Sequence, residues 1–439
     1  MYVTRGQYWP LFLFIIHLFI GIEYCNPSPM GKSKKFVFVL YVLAIVFVVV
    51  RNLNLPWGDL FHTEGYYSHY NNYIIFKNSF WHLLDGENLY AQYPLNQYDV
   101  FKYTPTFAVL FGLFSAVPDF LGYPLWTSVN LLFPLWALFQ IGGIRPKYKP
   151  WIGIVLLLEA ITNSLNSQSN GLLLGLFFMA LASLERQHYT KAMIWIWLTV
   201  FIKLFGIVFF VVLVLYPNAI RRSIVPGLVV MGVLFFLPLP IVGWQYLQLQ
   251  YHNMLDLLAN DHAHFVKLSM MAWINQWFHL LPQKNTVLFL GLFIQLLPLL
   301  FWKTIQTKKS MRIAYAGSWL LWMVIFNHMA ESATYVIAVG GALLVFFYPP
   351  PIALEPTKDH SKSSTALLGL KNKWYLLGFL MLLVFTILGP TDIYPKDLRL
   401  WIVETAQLKA FPCIYLWVLA IYQSIRCIQL RSSNTTKLF

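Results

Sequence analysis

The chain has 439 residues, of which 58% are hydrophobic and only 11% are charged. A soluble protein of this length does not need so much apolar surface, so the composition predicts a polytopic membrane protein and excludes an ordinary soluble enzyme. The formal net charge is +14, but the basic residues are scattered in short loops between apolar runs, which is typical of the positive-inside bias and excludes a nucleic-acid partner.

The first 29 residues contain an apolar run, Trp9 to Ile22, that is short for a membrane span. It has the size of a signal-peptide core, but only Arg5 precedes it as a basic residue and no clear small-residue cleavage site follows. We therefore interpret residues 1–29 as an N-terminal extension and residues 30–439 as one membrane-embedded domain.

Apolar segments then recur along the chain, and each is a predicted helix because about 20 apolar residues cross a bilayer. The predicted segments are residues 36–50, 123–142, 151–165, 169–184, 191–202, 204–216, 224–242, 285–302, 312–327, 333–350, 373–390 and 411–427. The fold class is thus all-α, with about 12 transmembrane helices. Thr104–Val117 is also apolar, but counting it as a span would place Arg145, Lys147 and Lys149 outside. We predict that it lies against the outer surface.

This topology separates the charges. The loops predicted to face the cytoplasm hold 21 of the 31 basic residues and three acidic ones, whereas the outer loops hold nine basic and twelve acidic residues. Residues 351–372 form a polar inside linker, and the long outside loops are residues 51–122, 243–284 and 391–410. Because the polar loops gather on the non-cytoplasmic face, we predict the site there, in a multi-pass protein of a bacterial plasma membrane.

Polar residues also stand at the outer ends of apolar segments. Asn327-His328-Met-Ala-Glu331 joins two segments, and Lys203 separates two segments that are too short to cross unaided. A further turn is lined by Asn163, Asn166, Gln168 and Asn170, with Glu159 one helical turn below. Ionisable groups in such positions are costly and are functional candidates. The alternatives are that His328 and Glu331 simply satisfy one another and that Lys203 snorkels to the interface.

Other classes of site lack support. His262 and His264, beside Asp261, resemble metal ligands, but no further ligand stands at a suitable spacing and zinc needs three or four. Neither a Gly-rich phosphate loop nor a nucleophile elbow is present. The three cysteines, Cys25, Cys413 and Cys427, are predicted to be unpaired. We predict no metal and no cofactor.

Several motifs follow one another in a fixed order. They are Asn71-Asn-Tyr-Ile-Ile-Phe-Lys-Asn-Ser-Phe-Trp-His-Leu-Leu-Asp-Gly86-Glu-Asn-Leu-Tyr90, Tyr93-Pro94, Asp99, Lys102-Tyr-Thr-Pro-Thr-Phe107, Asn166-Ser-Gln-Ser-Asn170, Phe201-Ile-Lys203-Leu-Phe, Asn327-His-Met-Ala-Glu331 and Gly389-Pro-Thr-Asp-Ile-Tyr394. From about Met30 to the C-terminus, the chain resembles glycosyltransferase family 87, the polyprenyl-phosphate-mannose-dependent mannosyltransferase-like membrane enzymes.

The resemblance implies a C-type glycosyltransferase fold that is embedded in, and contacts, membrane lipids. Such enzymes transfer mannose or another hexose, with inversion, from a polyprenyl-phosphate donor to a lipid or glycan acceptor at the outer leaflet. It also implies an acid in the first outside loop as general base. That position, fourteen before Gly86, holds Asn72, whose amide cannot take a proton.

The nearest replacement bases are Asp59, Glu64, Asp99 and the pair of His328 and Glu331. We favour His328 as base, oriented by Glu331, with Asp99 second. The phosphate needs a cation, for which Lys203 is the first choice and Lys102 and Arg399 are the reserves. The residues predicted to bind substrate are Asn71, Tyr103, Asn166 and Asn170.

Two other functions stay open. A transporter or flippase of lipid-linked saccharides would have internal repeats and charged residues near the bilayer midplane, but the chain has no evident repeat and its polar groups cluster at one interface. A catalytically inactive relative that acts as a scaffold is the second alternative, and Asn72 is the residue that supports it.

Overall fold

The computed structural model describes residues 32–56, 58, 67–142, 148–260, 268–348 and 372–435. Several positions singled out above lie outside these ranges, namely residues 1–29, Asp59, Glu64, Arg145, Lys147, Asp261, His262, His264 and linker residues 351–371. Within the described ranges the secondary structure is helical, apart from one antiparallel bridge between Gly58 and Tyr67.

The helices follow one another with short connections. In chain order they are α1 (Lys32–Asn54), α2 (Asn71–Asp85), α3 (Pro105–Ser115), α4 (Asp119–Gln140), α5 (Lys149–Leu165), α6 (Asn170–Glu185), α7 (Tyr189–Ile202), α8 (Ala219–Phe236), α9 (Leu239–Val242), α10 (Trp244–Asn260), α11 (Met270–Phe278), α12 (Lys284–Leu296), α13 (Trp302–Thr307), α14 (Lys309–Ile325), α15 (Tyr335–Phe347), α16 (Lys373–Met381), α17 (Lys396–Leu400) and α18 (Phe411–Thr435). Shorter-pitch 3₁₀ turns cover Leu204–Leu215, Leu297–Phe301 and Ser332–Thr334, and π turns cover Leu382–Ile387 and Trp401–Thr405.

In the described part of the chain, three helical stretches are long and apolar enough to cross a membrane: Lys32–Asn54, Ala219–Val242 and Lys284–Thr307. Each predicted apolar segment overlaps a helix, so the all-helical prediction is confirmed. The prediction of about 12 crossing helices is not, because several other apolar helices have only 10–17 residues. Such short helices are tolerated where they are packed inside the protein.

Helix α3 differs from its predicted position on the outer surface. Thr104 caps its first turn by accepting a hydrogen bond from Phe107 N, and Pro105 follows at the position where proline suits a helix best. Eight of its residues are buried, because α3 packs between α2, α4 and α7. With 11 residues it is about 16 Å long, too short to cross a bilayer. Hydropathy cannot distinguish such an interior helix from a surface one.

Helices α14 and α15 pack closely against one another. A Cβ atom on Gly317 would lie 2.7 Å from the carbonyl oxygen of Gly341, and one on Gly341 would lie 2.5 Å from that of Gly317. Glycine at both positions therefore lets the two backbones touch, as small residues do between membrane helices. The turn between these helices carries His328 and Glu331, so the pair fixes where that turn lies.

The second outside loop packs onto the first. Helix α10 buries Gln250, whose Oε1 accepts a hydrogen bond from Leu89 N at 3.0 Å. Tyr246 in the same helix donates to the carbonyl of Glu87. These contacts hold the two loops together above the helix ends that form the site.

Candidate functional site

A polar cavity of about 340 Å³ lies where the ends of several helices meet. Its charged and polar lining includes Asn72, Asp99, Lys102, Tyr103, Gln168, Lys203, Lys284, Asn327, His328 and Glu331. These side chains come from segments that are far apart in the chain, yet all belong to the side that the charge pattern assigns to the outside. Seven of the eleven site residues predicted above, Asn72 among them, therefore line one cavity.

Asp99 reaches the cavity through an unusual backbone conformation. Its φ of 71° lies in the left-handed region, which aspartate and asparagine tolerate better than most residues. The carboxylate Oδ1 accepts a hydrogen bond from Val100 N at 2.8 Å and lies 3.7 Å from Lys102 Nζ. About half of the carboxylate side chain is exposed, so it is available to a bound hydroxyl.

Lys203 is held by protein groups where α7 ends. Its backbone is extended, with φ −135° and ψ 124°, which stops the helix and turns the chain into the 3₁₀ segment. The ammonium Nζ donates to Asn170 Oδ1 at 2.9 Å and lies 5.3 Å from the centre of the Tyr103 ring. A cation at a helix C-terminus is also favoured by the helix dipole. These contacts give Lys203 a fixed place beside the cavity.

Asn170 joins Lys203 to the turn that carries Glu331. It is 1% exposed, and its Nδ2 donates to the carbonyl oxygen of Ala333 at 3.2 Å while its Oδ1 accepts from Lys203. One buried amide thus fixes both a cation and a backbone segment of the site. Asn170 contacts these groups from behind the cavity lining.

In the structure, Glu331 and His328 each contact a residue that the sequence did not predict as a partner. Glu331 caps the 3₁₀ turn, since its carboxylate accepts from the Thr334 backbone N–H and Thr334 Oγ1 accepts from Glu331 N. His328 Nε2 lies 3.3 Å from Lys284 Nζ. Because an ammonium group only donates, this contact is a hydrogen bond only when Nε2 carries no proton.

Asn72 occupies the cavity wall at the position where the resemblance expects an acid. Its Nδ2 donates to the carbonyl oxygen of Asn166 at 2.9 Å, so the amide ties α2 to the turn before α6. A carboxylate at this position would have no proton for that bond.

The residues predicted to bind substrate divide into two groups. Tyr103 lines the cavity, and its hydroxyl contacts Gln168 Oε1 at 3.3 Å and Ser169 Oγ at 3.2 Å. Asn71, Asn166 and Asn170 contact protein groups instead. Asn71 makes two hydrogen bonds to the backbone of Tyr98, which brace the loop that bears Asp99.

Arg399 lies in the third outside loop, where it pairs with Asp392, and it is not part of the cavity lining. Lys284 lines the cavity and was not predicted, although it is the last charged residue before the predicted segment 285–302. Its place in the cavity depends on tertiary packing against His328, so no local sequence signal singles it out.

A second, apolar groove of about 520 Å³ adjoins the cavity, and the two share Ile202. Aromatic and aliphatic side chains of α3, α4, α6 and α7 line it, among them Phe111, Trp126, Trp136 and Trp195. The polar cavity and the apolar groove therefore lie side by side.

In the part of the chain that the structure describes, no three His, Cys, Asp or Glu side chains come together as a metal site requires.

Comparison with known proteins gives a match over more than half of the chain. The sequence profile of glycosyltransferase family 87 matches residues 101–347. Among solved structures, the chain is similar to ArnT from Cupriavidus metallidurans bound to undecaprenyl phosphate, with 15% identity and a TM-score of 0.42 over 90% of this chain and 78% of that one. The apo form of that protein gives 13% identity and a TM-score of 0.38 over the same shares. No curated protein matches the sequence.

Proposed function

Because the chain belongs to glycosyltransferase family 87, we propose that its cavity transfers a hexose, with mannose as the first choice, from a polyprenyl-phosphate donor to a hydroxyl of a lipid or glycan acceptor. The reaction takes place at the non-cytoplasmic face of the membrane. The observation that carries the proposal is the junction at Ile202 between the charged cavity and the apolar groove. A polyprenyl-phosphate sugar has the same two parts, a charged head and an apolar chain.

The cations of the cavity serve the donor phosphate. Lys203, Lys102 and Lys284 all line the cavity. As the bond between sugar C1 and the phosphate oxygen breaks, negative charge grows on the phosphate, and fixed cations stabilise it. Lys203 is the strongest choice because Asn170 already holds its ammonium group. No reorganisation of that group is needed during the reaction.

The acceptor oxygen forms the new bond to sugar C1 on the side opposite the phosphate, which inverts the configuration, and its proton passes to a general base. Among the described residues, Asp99, His328 and Glu331 line the cavity. When Nε2 carries no proton, the contact with Lys284 engages the lone pair that a base needs, which favours Asp99. His328 oriented by Glu331 is the second choice. Asp59, a further candidate base, lies outside the described residues and is compared with Asp99 by mutation.

The apolar groove serves the polyprenyl chain. Its walls are flat aromatic rings and aliphatic side chains, which suit a branched hydrocarbon. Ile202 lines both spaces, so the groove lies next to the place where the donor head is bound. The charged head and the apolar chain are thereby bound in adjoining compartments.

The test uses membranes that contain the full-length protein and polyprenyl-phospho-mannose labelled in the sugar. We expect the label to move into a lipid or glycan fraction, with Lys203→Met reducing transfer at least 100-fold. Lys396→Met, an exposed lysine of α17 outside the cavity, is the matched control and retains full transfer. No transfer by the wild type with any hexose donor would contradict the proposal. Movement of intact donor across the bilayer of reconstituted vesicles, without sugar transfer, would instead support a transporter or flippase of lipid-linked saccharides.

A further inference from the structure

A buried ion pair lies directly behind the turn that carries Glu331. Lys409, just before α18, and Glu159, in α5, are both 0% exposed, and Lys409 Nζ lies 3.0 Å and 3.3 Å from the two carboxylate oxygens. Removing two charges from water is costly, and such pairs are often no more stable than an apolar replacement. General stability is therefore a weak explanation for this one.

The ammonium group has a third partner, which points to a role. Lys409 Nζ donates to Ser332 Oγ at 2.7 Å and lies 3.4 Å from the Ser332 carbonyl oxygen. The centre of the Tyr335 ring is 5.1 Å away. Ser332 follows Glu331 directly and is the first residue of the 3₁₀ turn. Lys409 therefore holds the backbone segment that carries the cavity-lining Glu331.

The same turn is held from its other side by Asn170, which bonds to the carbonyl of Ala333 and to Lys203. The two anchors are adjacent, because one holds residue 332 and the other holds residue 333. Glu159 and Lys409 are thus connected to Lys203 through the turn and Asn170. Neither of the two lines the cavity.

We propose that Lys409 is a positioning residue for the Glu331 turn, with Glu159 as its counter-ion. The proposal rests on the function given above for the cavity. Displacement of a reacting group by about 1 Å can cost 100-fold in rate, so loss of one anchor is expected to lower kcat. Because neither residue contacts the substrate cavity, the KM for the donor is expected to change less.

The experiment compares the double variant Glu159→Gln/Lys409→Met with the wild type. The double variant removes both charges, so no buried charge is left unpaired, and we expect the protein to fold. We expect a kcat at least 10-fold lower, a donor KM within about threefold of the wild type, and faster amide hydrogen exchange in the peptide that covers residues 327–335. Thermal unfolding in detergent confirms that the variant is folded.

The matched control is Glu185→Gln/Arg312→Met. This pair is also bidentate, with 2.8 Å and 2.9 Å contacts, and it is partly buried, but it lies at the opposite end of α6 from Asn170. It is expected to leave kcat and the exchange of residues 327–335 unchanged. Where the first double variant does not fold, Ser332→Ala, which keeps the ion pair and removes one anchor, is expected to give a smaller change of the same kind.

The outcomes separate two ideas. Unchanged exchange at residues 327–335 in a folded double variant, or unchanged kcat in a protein that transfers sugar, would overturn the positioning role. Faster exchange confined to this peptide would support the role even if the wild type transferred no sugar, in which case it is the proposed function that fails.

Discussion

Asn170 and Lys203 are joined by a 2.9 Å hydrogen bond from the lysine Nζ to the amide Oδ1. The bond connects the first residue of α6 to the residue at which α7 ends. Because the other half of the amide holds Ala333, three segments that are distant in sequence share one buried side chain. The cation of the site and the turn of Glu331 are therefore set relative to one another.

Replacing Asn170 tests this coupling. Asn170→Leu has a similar size and removes both bonds, and we expect kcat/KM for the donor to fall at least 10-fold. Asn170→Asp keeps an acceptor for Lys203 but cannot donate to Ala333, so it is expected to retain more activity than Asn170→Leu. Steady-state transfer with labelled donor measures both. Equal activity of Asn170→Leu and the wild type would show that the amide has no part in placing Lys203.

Asp99→Asn tests the base. Asparagine tolerates the left-handed backbone as aspartate does, so the variant keeps the loop conformation and loses only the proton acceptor. We expect kcat to fall at least 100-fold with little change in thermal stability. Asp59→Asn and His328→Gln are measured beside it. Full turnover by Asp99→Asn, with a large loss in one of the other two, would assign the base to that residue instead.

Asn72→Asp tests whether an acid at the position expected from the resemblance restores or raises activity. The new carboxylate cannot donate to the Asn166 carbonyl and would lie beside its oxygen. We expect lower thermal stability, by about 1 kcal/mol, and no gain in transfer. The matched variant Asn72→Gln keeps the amide. A gain of activity in Asn72→Asp would place this residue among the reacting groups and would reverse our order of bases.

Val129→Phe tests the apolar groove. Val129 lies on the groove wall in α4, and a larger ring there narrows the space without touching the charged cavity. We expect KM to rise several-fold for a long-chain polyprenyl donor and to change little for a short-chain analogue. Leu121→Phe, at an exposed position on the same helix, is the control. Equal loss with both donors would show that the chain lies elsewhere.

Part of the site was predictable from the sequence because polar groups at the ends of apolar segments are rare. Lys203 and His328 stand out for this reason, and both line the cavity. Lys284 does not stand out, since it is one of many polar residues in a long loop and its approach to His328 depends on tertiary packing. The same holds for Asn71 and Asn166, whose positions were predicted but whose contacts with backbone atoms were not.

The fold, like the site, was predictable from the sequence only in part. Apolar runs predict helices well, and α1 and α8 follow their runs closely. Hydropathy cannot say whether an apolar face meets lipid or protein, because lipid tails and leucine side chains are equally apolar. The interior position of α3 depends on partners that lie elsewhere in the chain, such as the ring of Phe76 against Phe107.

The contact between Gly317 and Gly341 also affects how the protein meets bilayers of different thickness. Helices α14 and α15 are almost wholly surrounded by protein and cannot slide without separating two backbones that touch. By contrast, only 28% of the apolar window of Lys32–Asn54 and 17% of that of Ala219–Val242 are buried, so fewer protein contacts oppose a change in the tilt of those helices. In a thinner or thicker bilayer we therefore expect these outer helices to adjust their tilt, while the turn between the two glycine-bearing helices keeps its depth.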